Sequence, residues 1–170
     1  YSKHHSEYHP YIRKYLKKFG FYDIFLIDST GNIVYTVFKE VDFGTSLENG
    51  PYKKSQLAHV YHKAKGSFEP EHVVLDDYAP YDPSYNAHAA FVAAPIREHG
   101  HEIGVLVFQL PIDRINDIMT NRHSWQDVGL GKTGETYIVG EDFTLRNQSR
   151  FLIEDRENYL KTIARSEERR

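Results

Sequence analysis

Apolar side chains recur every three or four residues near the start of the chain, as they do on one face of an amphipathic helix. The pattern includes Tyr11, Tyr15 and Phe19, with lysine and arginine residues between them. Gly20 follows directly, and glycine is the residue that most often ends a helix. The sequence therefore predicts a helix over residues 1–19 with one apolar face.

Two runs rich in β-branched and aromatic residues come next, at 22–28 and 33–40. The turn sequence STGN separates them, and this arrangement predicts a β-hairpin. A polar loop over 42–53 then leads to Ser55, a residue type that often caps the start of a helix. Residues 56–65 carry apolar side chains on one helical stripe, so we expect a short helix there.

The following part of the chain has the pattern of three strands and a helix. Residues 72–82, 87–96 and 103–110 are rich in strand-forming residues and are separated by turn sequences. Pro111 suits the first turn of a helix, and isoleucines follow it at helical spacing. These elements predict an α+β domain: a five-stranded antiparallel sheet with a long N-terminal helix and a loop–helix insertion after strand two.

Glycines mark a change in the chain after residue 128. The segment GLGKTG (129–134) resembles a linker, and it lacks the GxxxxGK[ST] spacing of a phosphate-binding loop. Residues 135–151 have a strand–turn–strand pattern, and 157–165 have a helical one. We therefore predict three parts, which are the end of an N-terminal helix (1–20), a main domain (21–125), and a linker with the start of a truncated second module (126–170).

Composition excludes several classes of protein. The 170 residues include 21 basic and 24 acidic side chains, a net charge of −3, so no general attraction to nucleic acid is expected. No apolar run approaches the ~20 residues that span a bilayer. The chain has no cysteine, which excludes disulfides and cysteine-ligated metals and suits an oxidising compartment such as a bacterial periplasm.

The stretch DDYAPYDPSYNAHAAFVAAPI (76–96) combines aromatic and small residues in an unusual way. Tyr78, Tyr81 and Tyr85 offer rigid walls with hydroxyl groups for orientation, and the alanines leave room above a sheet. Such a lining is typical of a pocket for a small molecule. The alternative is that the tyrosines are partly exposed packing residues and that the alanines permit a helix to pack closely.

Catalysis is not expected from this stretch. Ser84, His88 and Asp82 supply the residue types of a hydrolytic triad, but no nucleophile-elbow sequence surrounds the serine. Asp76 and Asp77 are adjacent, so in a strand they point to opposite faces and cannot act on one substrate. The sequence therefore predicts a binding protein and not an enzyme.

The ten histidines do not predict a metal or cofactor site. His5 and His9 are four residues apart and His59 and His62 three apart, so each pair fits one helix face, but a metal needs further ligands. His88 is the sole candidate for a haem ligand, and a haem pocket also requires a large apolar cavity. We expect no cofactor and no metal.

Four segments of the chain, taken in order, resemble the Cache domain, the PAS-like extracytoplasmic sensor module of bacterial receptors. They are YDIFLIDSTGNIVYTVFKE, DDYAPYD, AHAAFVAAPI and REHGHEIGVLVFQLPIDRI. The resemblance covers residues 21–120, and GKTGETYIVGEDFTLRNQSRF resembles the opening of a second module. The whole is similar to the distal half of a double-Cache region, as in methyl-accepting chemotaxis proteins. Similar regions occur in histidine kinases and nucleotide cyclases.

The resemblance implies a ligand between one sheet face and the insertion, here residues 41–71. Amino-acid-binding members carry an Arg-x-Trp-Tyr motif in the insertion and an aspartate on the last strand. This insertion has neither arginine nor tryptophan, and Gln109 stands at the aspartate position, so amino-acid recognition is doubtful. Lys39 and His88 offer positive charge to a carboxylate or another small polar metabolite. The implied ligand-binding residues are Lys39, Asp77, Tyr78, Tyr81, Tyr85, His88, Phe91 and Gln109.

The same resemblance implies a function and a setting. We expect the periplasmic sensor module of an inner-membrane chemoreceptor, with flanking transmembrane helices in the full-length protein and signalling by a ligand-induced population shift. We also expect a homodimer in the full receptor, with the tyrosine-bearing helix at 8–19 as the contact. The alternatives are the sensor region of a histidine kinase or nucleotide cyclase, or a structural spacer whose pocket is vestigial.

Overall fold

The structure is a computed structural model, and it describes residues 2–67, 69 and 71–167. Tyr1 of the predicted N-terminal helix lies outside the described residues. The same holds for Phe68 and Pro70 of the predicted insertion, and for residues 168–170 of the predicted second module.

The chain divides into two compact units, Tyr1–Pro111 and Ile112–Arg170. The first unit contains the N-terminal helix together with the whole sheet, and it ends before the boundary that we predict at residue 125.

Helix α1 spans Ser2–Phe19, and the predicted N-terminal helix is confirmed over these residues. Gly20 ends it with a left-handed backbone (φ +73°), and its N–H donates to the Leu16 carbonyl at 2.8 Å. Leu16 is the buried residue of the helix, so α1 rests on the sheet along a narrow line and exposes most of its surface.

Strands β1 (Asp23–Asp28) and β2 (Ile33–Thr36) form the predicted hairpin, although β2 ends earlier than the sequence pattern indicates. Helix α2 spans Gln56–Ala64. The Ser55 side chain accepts a hydrogen bond from the Ala58 N–H at 3.2 Å, which confirms the predicted cap.

Strands β3 (Val74–Tyr81), β4 (Ala87–Glu98) and β5 (His101–Pro111) confirm the three predicted later strands. A short 3₁₀ helix at Asp82–Ser84 connects β3 to β4. The pairing of β3 with β4 shifts register between Asp76 and Ala79, so β3 contains a bulge.

The five strands make one antiparallel sheet in the order β2-β1-β5-β4-β3 within the described part of the chain. Strands β2 and β3 are therefore the outer strands. In the register, Gln109 of β5 lies between Asp23 of β1 and Phe91 of β4. The predicted fold class, an α+β domain with this sheet and helix arrangement, is confirmed.

The two faces of the sheet carry different hydrophobic clusters. The face towards α2 holds the larger one, in which the insertion and α2 pack on the inner strands. Its members are Phe25, Ile27, Ile33, Leu47, Leu57, Ala58, Val60, Tyr61, Ala64, Tyr81, Ala89, Phe91, Ala93, Val105 and Val107. The face towards α1 holds the smaller one, whose buried members are Leu16, Ile24, Tyr35 and Val37.

The second unit contains helices α3 (Ile112–Met119), α4 (Arg150–Glu154) and α5 (Arg156–Glu167). The helices predicted after Pro111 and near 157–165 are confirmed.

The strand–turn–strand pattern predicted at 135–151 is present only as an antiparallel bridge between Val139 and Leu145, with backbone hydrogen bonds from Gly140 N–H to Thr144 and from Arg146 N–H to Ile138. The Asn147 side chain makes hydrogen bonds that backbone groups of a second strand would otherwise make. Its Oδ1 accepts from the Ile138 N–H at 2.6 Å, and its Nδ2 donates to the Thr136 carbonyl at 3.0 Å.

Among the helices that the structure describes, none combines the length and the apolar character needed to cross a membrane.

Candidate ligand-binding site

A cluster of buried polar side chains lies where β1 begins and β5 ends. Asp23 and Gln109 pair directly across these strands, and they are 1% and 2% exposed. Cross-strand partners point to the same face of a sheet. Since buried charges are rare unless they are paired, this part of the sheet calls for a functional or structural explanation.

A chain of side-chain hydrogen bonds runs from Gln109 towards the surface. Its Nε2 donates to Ser84 Oγ at 3.0 Å, and Ser84 Oγ donates to Glu40 Oε2 at 2.8 Å. The Tyr22 hydroxyl donates to the other Glu40 oxygen at 2.8 Å. The carboxylate of Glu40 therefore accepts on both sides and joins β5, the β3–β4 connection and the segment before β1.

Tyr81 and Asp42 form a second buried hydrogen bond of 2.6 Å, with the tyrosine hydroxyl as donor and Asp42 Oδ2 as acceptor. Burial is the main cause that raises the pKa of the Tyr81 hydroxyl, and the adjacent Asp42 charge adds to it. Burial also raises the pKa of Asp42, helped by the charge of Glu40 and opposed by the Tyr81 hydrogen bond.

Asp23 is held by backbone donors. Its Oδ1 accepts from the N–H groups of Ile24 (2.6 Å) and Val37 (2.8 Å), and its Oδ2 accepts from Phe38 (3.4 Å). Burial nevertheless raises the pKa of Asp23 to about 6, because the desolvation of the charge outweighs the three hydrogen bonds, and Asp42 adds repulsion.

Two acceptor atoms in this cluster have no hydrogen-bond partner among the described residues. They are Asp42 Oδ1 and Gln109 Oε1, and both are fully shielded from solvent. Leaving a buried acceptor unpaired costs about 1–3 kcal/mol.

An open cavity of about 780 Å³ adjoins the cluster. Tyr22 and Glu40 belong to both, because they form the chain of hydrogen bonds and also line the cavity. The other lining residues are Phe21, Phe38, Lys39, Val41, Tyr85 and Pro111. The cavity and the cluster together are the site that we treat as the candidate ligand-binding site.

The structure brings some of the predicted site residues together here. Tyr81, Phe91 and Gln109 lie buried on the α2 face, with the rings of Tyr81 and Phe91 5.0 Å apart. Lys39 and Tyr85 line the cavity, where Tyr85 is 93% exposed.

Three other predicted residues lie elsewhere. Asp77 and Tyr78 fall in the β3 bulge, and the Tyr78 hydroxyl donates to the Pro111 carbonyl at 3.3 Å. His88 is exposed, and it alternates with Ala89 of the α2-side core, so its side chain points to the opposite face. His88 therefore does not join the walls of the candidate site, because strand alternation directs it away.

The alanines of β4 do not leave open space above the sheet on the α2 side. Ala89 and Ala93 are each 1% exposed and belong to the same core as Ala58 and Ala64 of α2. Small side chains on both elements let the helix approach the sheet closely, which is the alternative that the sequence left open.

Ser84 has a binding geometry that sequence reasoning missed. The Ser84 hydroxyl donates a hydrogen bond to Glu40 and accepts one from Gln109. His88 is exposed and points to the other face of the sheet, so Ser84 and His88 do not come together as a catalytic triad requires. Asp23, Glu40 and Asp42 were missed as well. The sequence offered one signal, the acidic residue Asp23 at the start of an otherwise apolar strand. That signal alone does not distinguish a buried carboxylate from one at the surface.

The paired histidines have other roles in the structure. The rings of His5 and His9 stack with centroids 4.4 Å apart, and His59 Nδ1 lies 3.0 Å from Asp76. In the described ranges, no group of three or more histidine, aspartate or glutamate side chains is placed to hold a metal ion.

No protein-family model matches the chain, and no curated protein matches it. Several solved structures do. The ligand-binding domain of the Campylobacter jejuni chemoreceptor Tlp3, in complex with 4-methylisoleucine, has a TM-score of 0.56 at 11% identity, covering 81% of this chain and 48% of that one. The ligand-binding domain of the Pseudomonas aeruginosa PAO1 amino acid chemoreceptor PctC, in complex with GABA, has a TM-score of 0.51 at 10% identity, with coverages of 75% and 49%.

A third structure is the ligand-binding domain of the Pseudomonas fluorescens chemoreceptor CtaA in complex with L-serine, with a TM-score of 0.50 at 17% identity and coverages of 75% and 48%. The chain thus spans about half the length of the structures it matches. The class of fold is that of chemoreceptor ligand-binding domains. More particularly, the predicted Cache-type sensor fold is confirmed.

Proposed function

We propose that this chain is the ligand-sensing module of a bacterial transmembrane chemoreceptor, exposed to the periplasm. The observation that carries the proposal is the candidate site itself, on a fold shared with chemoreceptor ligand-binding domains. A buried polar cluster shares Tyr22 and Glu40 with the lining of a cavity of about 780 Å³. Concave sites with a few placed polar groups are typical of small-molecule binding.

A hydrogen bond and a hydrophobic cluster link the candidate site to helix α1. The Asp23 carboxylate accepts from the Val37 N–H, and the Val37 side chain packs in the same cluster as Leu16 of α1. A ligand that prefers one arrangement of the Asp23 region would therefore also favour one position of α1 on the sheet. This is a population shift between two packings, and it supplies the signal that the receptor passes onward.

Helix α1 also offers the contact for a homodimer. Tyr11, Tyr15 and Phe19 are exposed at 73%, 46% and 46%, so the helix presents aromatic side chains that the first unit does not cover. We propose that two copies of the receptor pair along this helix, which places the moving element at the subunit contact.

A binding screen tests the sensor proposal. Purified chain is mixed with small carboxylates, amines and amino acids, and the melting temperature is followed for each compound. We expect reproducible stabilisation by at least one compound, and its loss in Gln109→Ala and Tyr81→Ala variants that keep the native circular dichroism spectrum. A screen in which no compound at millimolar concentration shifts the melting temperature would overturn the proposal.

A structural spacer with a vestigial pocket is the second candidate. The observation that favours it is the α2 face of the sheet, where Ala89, Phe91 and Ala93 are packed beneath the protein's own insertion. The same screen separates the two functions, because a spacer gives no saturable binding. The sequence of the full-length protein decides among chemoreceptor, histidine kinase and cyclase, since each has a different output domain.

A further inference from the structure

We infer that the cavity of the candidate site takes an uncharged aromatic molecule with a hydrogen-bond donor on its ring, of the phenol or indole type. The inference rests on the proposed sensing function and names the ligand class of that site. Its basis is the aromatic lining of the cavity, the balance of charge and the acceptor atoms there, and the backbone conformation beside it.

Aromatic side chains dominate the lining of the cavity. Among the described residues that line it, half are aromatic, whereas aromatic residues make up 14% of the chain. They are Phe21, Tyr22, Phe38 and Tyr85, and the ring centroids of Tyr22 and Phe38 lie 5.9 Å apart. Walls of this kind pair with a further ring by stacked or edge-to-face contact, which a saturated molecule cannot match.

Three large apolar side chains around the cavity are left in water. Phe38, Val41 and Tyr85 are exposed at 53%, 68% and 93%. A single exposed apolar side chain is ordinary, but several around one concave surface indicate a binding site. A ligand with an apolar ring would cover part of each, and the removal of apolar surface from water favours its binding.

The charged side chains at the cavity balance each other. Lys39 and Glu40 are adjacent in the chain, and of the described lining residues no other is charged. Tyr22 stays a neutral hydroxyl at physiological pH, because burial and its hydrogen bond to Glu40 raise its pKa to about 12. A charged ligand would face one attractive and one repulsive side chain and would also lose its hydration. An uncharged ligand meets neither cost.

An acceptor at the cavity accounts for the donor on the ligand. The Tyr22 hydroxyl donates to Glu40 Oε1 at 2.8 Å, and Ser84 Oγ donates to Glu40 Oε2 at 2.8 Å. Since a carboxylate has about four lone-pair sites, these two bonds and a contact with Lys39 would together still leave room for a donor from a ligand. A phenol O–H or an indole N–H supplies that donor without a charge.

The backbone beside the cavity is held in a conformation that non-glycine residues rarely adopt. Tyr85 and Asn86 have φ angles of +55° and +59°, and Lys39 has +55°. The Asn86 N–H donates to the Tyr81 carbonyl at 3.1 Å, which fixes the β3–β4 connection in this form. Such backbone strain is typical of residues that clamp a ligand. Tyr85 is therefore the residue that contacts the ligand ring from the open side of the cavity.

Titration calorimetry on the whole chain tests the inference with pairs of probes that differ in one property. Comparing 4-methylphenol with 4-methylcyclohexanol removes the aromatic ring, and comparing indole with 1-methylindole removes the donor. Comparing 4-methylphenol with 4-methylbenzoate and 4-methylbenzylamine adds a charge of either sign. We expect saturable binding of 4-methylphenol and indole, and affinities lower by about fivefold or more for the probes without the ring or the donor. Both charged probes should also bind more weakly.

Substitutions locate the binding. In Tyr85→Ala the affinity for 4-methylphenol should fall by about fivefold, the size of one ring–ring contact, whereas Tyr85→Phe keeps the ring and the affinity. In Glu40→Gln the preference for indole over 1-methylindole should shrink, because the charge that strengthens the hydrogen bond is removed. Phe143→Ala is the matched control, since Phe143 is an aromatic residue exposed at 90% that does not line the cavity, and its loss should leave binding unchanged.

Several results would overturn the inference. They are binding of 4-methylcyclohexanol as tight as that of 4-methylphenol, equal affinities for indole and 1-methylindole, tighter binding of a charged probe, and equal binding by Tyr85→Ala and the wild type. If a compound of the screen binds and no uncharged aromatic probe does, the inference fails and the sensor proposal stands. Absence of binding by every probe and every compound of the screen would overturn both.

Discussion

Asp23 is an ionisable residue in a place where charge is expensive. It is 1% exposed and accepts three backbone hydrogen bonds, which hold β1 against the segment that follows β2. These bonds favour the ionised form, but burial and the charge of Asp42 act against it, and the pKa is raised from 3.8 to about 6. The folded protein therefore binds a proton at Asp23 in a range where the unfolded chain does not.

This difference predicts a pH dependence of stability. Between pH 7 and about 4 the folded state becomes protonated at Asp23 before the unfolded state does, so the contribution of Asp23 to the free energy of unfolding rises as the pH falls. Relative to Asp23→Asn, the wild type should gain on the order of 3 kcal/mol across this window. Urea unfolding of both proteins at several pH values measures the difference. A gap that stays constant with pH would contradict the raised pKa.

At the residue scale, the sequence identified site residues whose positions match those of the Cache domain. Tyr81 and Gln109 were named, and both lie in the buried cluster. Asp42 and Ser84 were missed as binding groups, because their positions depend on how the insertion and the β3–β4 connection fold back onto the sheet. His88 was named because of its neighbours in the chain, and a single step of strand alternation places it on the other face.

At the element scale, helix α2 determines how much space remains above the sheet. Its Ala58 and Ala64 lie in the same core as Ala89 and Ala93 of β4. Hydrophobic spacing and the Ser55 cap were enough to predict this helix from the sequence. They could not predict how closely α2 packs on the sheet, since alanines in β4 fit both an open pocket above the sheet and a close contact with a helix.

A larger side chain in β4 tests the close contact. Ala93→Leu should lower the free energy of unfolding by about 2 kcal/mol, because the added methyl groups have no room between β4 and α2. Ala94→Leu is the control, since Ala94 points to the other face and is only half-buried. Chemical unfolding curves of the two variants give the comparison. Stabilisation by Ala93→Leu would mean that space exists above the sheet after all.

At the scale of the whole molecule, the sheet order is the feature that local patterns do not contain. Strand β1 pairs with β2, its neighbour in the chain, and also with β5, which is about eighty residues further along. The resemblance to Cache domains predicted a five-stranded antiparallel sheet without naming the order of its strands, and hydrophobic periodicity predicted the strands themselves. The pattern at 135–151 shows the limit of periodicity, because an asparagine side chain takes the bonds that a second strand would make.

The division of the chain predicts an independent folding unit. The first unit, residues 1–111, contains α1, the complete sheet and both hydrophobic clusters. We expect a fragment 1–111 to unfold cooperatively on heating and to keep the ligand binding of the whole chain, because all lining residues of the candidate site lie within it. Circular dichroism and calorimetry check this. A fragment with no cooperative transition would show that residues beyond Pro111 are needed for the fold.

The outer strand β3 has one more consequence. An unpaired strand edge is a template on which another chain can add a strand, and proteins avoid this with prolines, charges and irregular backbone. Strand β3 has all three, since Pro80 cannot donate a backbone hydrogen bond, Asp76 and Asp77 bring charge, and the bulge lies between Asp76 and Ala79. This edge of the sheet is thereby protected against the addition of a strand from another chain.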